Sequence, residues 1–459
     1  MSAFDAFEIK MRAAGMGDAP VAVFRRNYEA LLRDETGMIG EETIEAAADL
    51  PDSENLEAGD GADLMGRTVV IKLNGGLGTG MGLQGPKSLL AVREGVNFLD
   101  LMVRQIVSLR ESSGEPVRLL LMNSFNTSAD TLAHLQRYES KGLAAAGEVE
   151  MMQNMIPKID AESMGPVEWA QDAEQEWCPP GHGDVYPALV GSGWLDRLLD
   201  EGVRYAFVSN SDNLGAILDP ALLAYFAKAD APFMMEVTRR TAADKKGGHL
   251  AKRKSDGRLL LREVAQCPEA DLDDFQDIAK HRYFNTNSLW LNLEKLKLQL
   301  KADAGVLPLP MIKNRKTVDP RDPKSKPVIQ LEIAMGSAIE CFEGALAIEV
   351  PRSRFAPVKT TGDLLALRSD AYEVLEDGQV RLRAERNGVP PDVILSGEYK
   401  LVDALEPLGV PSLIRCDVLK ISGLVEFEAG VVIEGEVAFS NHQAERKTVP
   451  AGVYINGEF

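Results

Sequence analysis

Between Thr68 and Ser88 the chain reads TVVIKLNGGLGTGMGLQGPKS. Thr68 to Leu73 is a β-branched, apolar run of the kind that forms a short buried strand. Six glycines then fall within eleven residues: Gly75, Gly76, Gly78, Gly80, Gly82 and Gly85. Without side chains in the way, the backbone N–H groups of such a loop can turn toward a phosphate or the polar edge of a base. Lys87 closes the loop with a cation. The helical spacing of Phe98, Leu99, Met102, Ile106 and Leu109 predicts a helix beyond it. A glycine loop set directly between an apolar strand and an apolar helix argues against a flexible surface linker, the ordinary alternative.

The two common phosphate loops do not fit. Gly80, Gly82 and Gly85 match G-x-G-x-x-G, but Gly80 lies seven positions after Leu73, too far for a tight dinucleotide turn. A P-loop needs lysine directly after its last glycine, and Pro86 stands between Gly85 and Lys87. The formal charge of −20 disfavours nucleic acid and anionic membrane as partners, so an anionic ligand needs a local basic pocket. No apolar run is long enough to span a membrane, and MSAFDAFEIKMRAAG lacks a secretory h-region. Cys178, Cys267, Cys341 and Cys416 are far apart, which predicts reduced thiols, no zinc site and a cytoplasmic setting.

Residues 1–55 read as a helical segment, and Pro51 to Asp63 as an acidic, turn-rich linker. Strand-like runs at 117–125, 203–212 and 231–237 alternate with helical patterns such as TSADTLAHLQRY and DPALLAYFAKAD. That alternation predicts a mostly parallel sheet with helices on both faces, over 56–385. The last part, 386–459, changes period. Leu419, Val425, Val431 and Val437 recur every six residues, as do Ile421, Phe427, Ile433 and Phe439. Such a hexapeptide repeat stacks into a parallel β-helix. It breaks at NHQAER and resumes at Val449 and Ile455, which reads as an ejected loop. No candidate site residue lies beyond Arg381, so the repeat is expected to serve structure and subunit contact, and the chemistry to survive its removal.

Asp212 ends an apolar strand, where a carboxylate faces the ligand crevice of an open α/β sheet. One carboxylate with phosphate oxygens is a usual Mg²⁺ arrangement; an Asx turn is the ordinary alternative. Lys87 and Lys359 are cations able to neutralise a polyphosphate, although a lysine taken at random is a solvated one. Around these residues the chain resembles the eukaryotic-type UTP–glucose-1-phosphate uridylyltransferases. LNGGLGTGMGLQGPKS is similar to their nucleotide loop and PRSRFAPVKTT to their second lysine motif, with matches in the family's order from about Val23 to Ile455.

The resemblance implies a nucleotidyltransferase-like Rossmann-type mixed-sheet domain, an N-terminal helical segment and a C-terminal left-handed β-helix. It implies that UTP and glucose 1-phosphate give UDP-glucose and pyrophosphate with Mg²⁺ at Asp212. Lys87 and Lys359 would act on the phosphates. Leu73, Asn74, Gly75, Gly76, Gln153 and Gly181 would hold UTP. His182, Asn210, Glu263 and Asn287 would hold the sugar phosphate. Other readings are a pyrophosphorylase for galactose 1-phosphate or N-acetylglucosamine 1-phosphate, and a non-catalytic UDP-sugar sensor. The β-helix is where a homo-oligomer would make contact.

Overall fold

Ten strands make the main sheet: β1 (Ile44–Ala46), β2 (Thr68–Asn74), β3 (Arg118–Asn123), β4 (Glu150–Met152), β5 (Tyr205–Asn210), β6 (Phe233–Arg239), β7 (His249–Arg253), β8 (Leu259–Arg262), β9 (Tyr283–Asn292) and β10 (Leu346–Glu349). The structure is a computed structural model and describes residues 4–35, 37–56, 61–93, 95–241 and 244–459. The glycine loop therefore leaves the middle of the sheet, since β2 lies between β5 and β3. Val69 and Ile71 enter one core and Val70 the other, which is why β2 reads as continuously apolar.

The sheet is mixed, not mostly parallel. β5, β2, β3 and β4 are parallel neighbours, as are β6 and β10. β9 instead runs antiparallel to β5, β6 and β7. No long helical crossover precedes β9. The chain reaches it through the β7–β8 hairpin and a connection whose helical pieces are short, the longest being Leu272–Gln276, so it can run against its neighbours. The expected linker is partly docked, since Glu349 donates its N–H to the Pro51 carbonyl. Its residues 57–60 lie outside the described residues.

Helices α1 (Asp5–Ala13) and α2 (Asp18–Leu32) join Phe7, Phe24 and Tyr28 into an aromatic cluster. That cluster packs on Ile329 and Leu331 of a small sheet. The helix expected after the glycine loop is α3 (Phe98–Ser113), capped by Asn97 and Asp100 and stopped by Gly114 in the left-handed region. A short hairpin separates it from the loop. α4 (Ser128–Leu135) and α5 (Pro220–Lys228) fill the two helical patterns read between strands.

The C-terminal strands β11 (Asp392–Leu395), β12 (Ser412–Ser422), β13 (Val431–Ser440) and β14 (Gly452–Glu458) form a parallel sheet. Val425–Phe427 and Lys447–Val449 pair in parallel beside it. Leu419 lies opposite Val437 and Ile421 opposite Phe439, so stacked strands are three hexads apart. The repeat resumes at Val449, which is buried beside Phe427, but its next inward position is displaced by one residue. Tyr454, opposite Ile433, packs on the core, and Ile455 is 55% exposed. The pairing offset falls by one residue between Phe427–Val449 and Val431–Gly452, and a one-residue slip turns alternate side chains outward.

One apolar cluster joins these strands to the rest of the molecule. It contains Leu419, Val425, Phe439 and their neighbours, together with Met81 of the glycine loop, Phe98 and Leu101 of α3, and Leu364 and Leu365. A side chain added at Gly82 would touch Leu401. The C-terminal strands therefore share a core with the catalytic part, which fits the structural role expected of them.

Candidate active site

The loops leaving the C-terminal ends of β2, β3 and β5 converge at one edge of the sheet. The glycine loop folds back on itself: Lys87 donates its N–H to the Gly76 carbonyl, and Leu77 bridges Pro86. That turn brings the Lys87 ammonium to 2.8 Å from Asp212 Oδ2, at the end of β5. Among the described residues, Asp212 Oδ1 is buried and has no hydrogen-bond partner. The Asp212 carbonyl accepts from the Val358 N–H, which sets the backbone of Lys359 beside it. Lys359 is exposed, with its ammonium 5.7 Å from the centre of the Phe355 ring. Glu263 faces the same space: burial pushes its carboxyl up, and nearby Lys359 offsets only part of the rise.

The residues expected to read a base also come together. Gln153 donates to the Gly181 carbonyl at 3.3 Å, and a side chain at Gly75 would run into its amide oxygen. Ser124 Oγ holds the Gly75 carbonyl at 2.9 Å. Gly181 has φ of 83°, and an added Cβ would lie 2.5 Å from the Ile333 carbonyl oxygen. Strain and close approach together require glycine there. Gly181→Ala should lower stability by about 1–3 kcal/mol and weaken nucleotide binding. Thermal melts and nucleotide titration of the purified variant check this, and unchanged values would contradict it.

Asn74 is expected to meet the base through its backbone, and its side chain is buried. Its amide nitrogen donates to Asn123 Oδ1 and Thr131 Oγ1, while its Oδ1 has no hydrogen-bond partner among the described residues. Leu73 and Asn210 lie side by side at the ends of β2 and β5. Asn287 takes φ of 57° within a bulge in β9, a conformation asparagine tolerates better than most residues. Asn285 holds it there with two hydrogen bonds of 2.9 Å. Bulges of this kind re-aim side chains beside active sites.

His182 Nδ1 accepts the Met335 N–H at 3.0 Å, and burial pulls its pKa from 6.5 down to about 4. The ring is neutral at pH 7 with its proton on Nε2, ready to donate. Its folded pKa is the lower one, so its contribution is present above about pH 6.5 and lost as pH falls toward about 4.

Sequence reading missed several supporting charges. Asp184, pushed up to about 7 by burial, accepts two N–H groups of Asn154 and so anchors the chain next to Gln153. Lys72 is buried inside β2, pulled down to about 7 by desolvation, and donates to Ser209 Oγ and the Ala216 carbonyl. Glu236 is buried within β6 and takes a bidentate bond from Arg354. The signal available was a charge inside an apolar strand, which survives burial only when partnered.

A profile of the UTP–glucose-1-phosphate uridylyltransferase family matches residues 21–434. The UTP–glucose-1-phosphate uridylyltransferase of Musa acuminata is 42% identical over 412 residues, 89% of this chain and 85% of that protein. The Saccharomyces cerevisiae protein of the same name is 40% identical over 391 residues, 84% and 77% of the two chains. A Leishmania major UDP-glucose pyrophosphorylase, solved in complex with UDP-glucose, superposes with a TM-score of 0.94 at 46% identity. That match covers 100% of this chain and 99% of the other. Among the described residues, no helix is long and apolar enough to cross a membrane. With the glycine loop, the Lys87–Asp212 pair and the Lys359 segment arranged on a shared fold, the chain belongs to the UTP–glucose-1-phosphate uridylyltransferase family.

Proposed function

We propose that this enzyme joins UTP and glucose 1-phosphate to give UDP-glucose and pyrophosphate. The observation that carries the reading is the meeting of Lys87, Asp212 and the Lys359 backbone at the mouth of the glycine loop. A sugar-phosphate oxygen attacks the α-phosphorus of UTP in line. The new P–O bond forms as the bond to the bridging oxygen breaks, and pyrophosphate leaves with the electron pair. No protein nucleophile enters. Lys87 and Lys359 neutralise charge on the phosphates, and the surrounding residues hold the two substrates in reacting geometry.

Asp212 fits a magnesium ion, with one oxygen on Lys87 and the other free of hydrogen bonds among the described residues. When bound, Mg²⁺ would supply Lewis-acid charge stabilisation on phosphate oxygens. Gln153 and the backbone of Leu73 to Gly76 read uracil. Gly181 supports that amide, and His182, Asn210, Glu263 and Asn287 meet the sugar phosphate.

UTP should be preferred over CTP and ATP, because a mismatched edge leaves buried polar groups unpaired at about 1–3 kcal/mol each. Pyrophosphate release over a panel of nucleotides and of glucose, galactose and N-acetylglucosamine 1-phosphates tests both selectivities. Comparable kcat/KM for CTP would remove the uracil-reading role of Gln153.

We read 1–55, 56–385 and 386–459 as the three parts of the chain, and the last as a left-handed parallel β-helix. Parallel pairing at three-hexad offset supports the coil, and the handedness follows the family likeness. Subunit contact through that coil and a cytoplasmic setting complete the reading; free, buried cysteines fit the latter.

A further inference from the structure

The turn after β5 is tied to the Lys359 segment by one buried side chain. Asn213 is 2% exposed. Its Nδ2 donates to the Arg354 carbonyl at 3.1 Å. Its Oδ1 accepts from the Ala356 N–H at 3.0 Å and from the Gly215 N–H at 3.2 Å. The two segments are more than a hundred residues apart in sequence, yet Asn213 also bridges Pro357 through its backbone. Gly215 permits the close approach, since a Cβ there would meet the backbone of Ser353 and Arg354. From below, the Arg354 guanidinium grips Glu236 with two bonds of 2.8 Å and spends a third on the Ile217 carbonyl. Trp290 Nε1 donates to the same Glu236 at 2.9 Å, and Lys72 holds the Ala216 carbonyl.

The residues on either side of this clamp are the ones with reactive ends. Asp212 immediately precedes Asn213, and Lys359 follows Pro357 by two positions. Only an amide fits the site: two N–H groups face its oxygen and a carbonyl faces its nitrogen. We propose that Asn213 is a positioning residue, which fixes the separation of the Asp212 carboxylate and the Lys359 ammonium by locking the two segments together. This rests on the reading of Asp212 and Lys359 given above. A displacement of about 1 Å in such a pair is enough to cost on the order of 10²-fold in rate.

The test is a double-mutant cycle of Asn213→Ala with Lys359→Ala, read by steady-state kinetics on folded protein. Asn213→Ala should lower kcat about 10–10²-fold with little change in KM for UTP, and should raise the Mg²⁺ concentration needed for half activity. In the Lys359→Ala background the same change should cost far less, because its route to the chemistry is already gone. Independent losses that simply multiply, or an unchanged kcat with only a lowered Tm, would overturn the proposal. Should Asn213→Ala fail to fold, Asn213→Asp carries the same cycle. It keeps the two accepted bonds and sets an oxygen against the Arg354 carbonyl. If Lys359→Ala or Asp212→Ala alone retains full kcat, the underlying reading fails. If both lose activity and Asn213 variants do not, only this inference fails.

Discussion

Asp212→Ala and Lys359→Ala each lower kcat by about 10²–10³, roughly 3–4 kcal/mol of transition-state stabilisation, while the protein stays folded. Removing the Asp212 carboxylate takes the ion-pair partner from Lys87 but leaves the backbone around it in place. The clamp beside Asp212 uses its carbonyl and the Asn213 amide, and alanine keeps that backbone. Lys359 is exposed, and changes at such positions usually move stability by no more than about 0.5 kcal/mol. A large loss in kcat therefore reports on chemistry. Negative charge grows on the α-phosphate oxygens and on departing pyrophosphate, so groups aimed there act on kcat more than on sugar binding. Lys359→Arg should not restore the rate, because a planar fork does not replace a compact ammonium. Steady-state kinetics at saturating UTP and glucose 1-phosphate, with Tm measured in parallel, decides the matter. A Lys359→Ala enzyme with wild-type kcat would exclude the role assigned to that lysine.

Ending the chain after Val389 should abolish the folded state, not merely trim an accessory module. Leu413, Leu419, Ile421, Val425, Phe427, Val431, Ile433, Val437 and Phe439 share one buried cluster with Met81, Leu90, Phe98, Leu101, Leu364 and Leu365. Each side chain stripped of its cover forfeits about 1.5–3 kcal/mol, and a whole protein is stable by only about 5–15 kcal/mol. Six uncovered residues in the catalytic part put about 9–18 kcal/mol at stake, as much as that whole margin. The glycine loop is directly involved through Met81 and through the contact between Gly82 and Leu401. The expected result is insoluble protein, or soluble protein without a cooperative thermal transition. A truncated chain with wild-type Tm and full turnover would show the two parts to be independent after all.

Local chemistry was legible because it is written in contiguous residues. A β-branched run followed by glycines can only be a strand and a loop. Capping boxes of Asn97 with Asp100 and of Thr360 with Asp363, which the sequence reading did not use, start helices Phe98–Ser113 and Thr361–Arg368. The six-residue register likewise sets which side chains of the repeat face inward, from Leu419 to Phe439. Val449 kept that rule beyond the ejected loop and Ile455 escaped it, since the pairing register drops by one residue between Val449 and Gly452.

What the sequence by itself determined was the strand–glycine-loop–helix order, the hexad repeat and the set of polar residues from which a phosphate-handling site could be made. Only the tertiary structure decided which of them meet. It put Lys87 on Asp212, turned the Asn74 side chain into the core, ran β9 against its neighbours and joined the repeat to the catalytic core. The reason is physical: strand direction, ion pairing and burial are settled between segments far apart in the chain. Their free energy depends on distances that no local pattern of residues encodes.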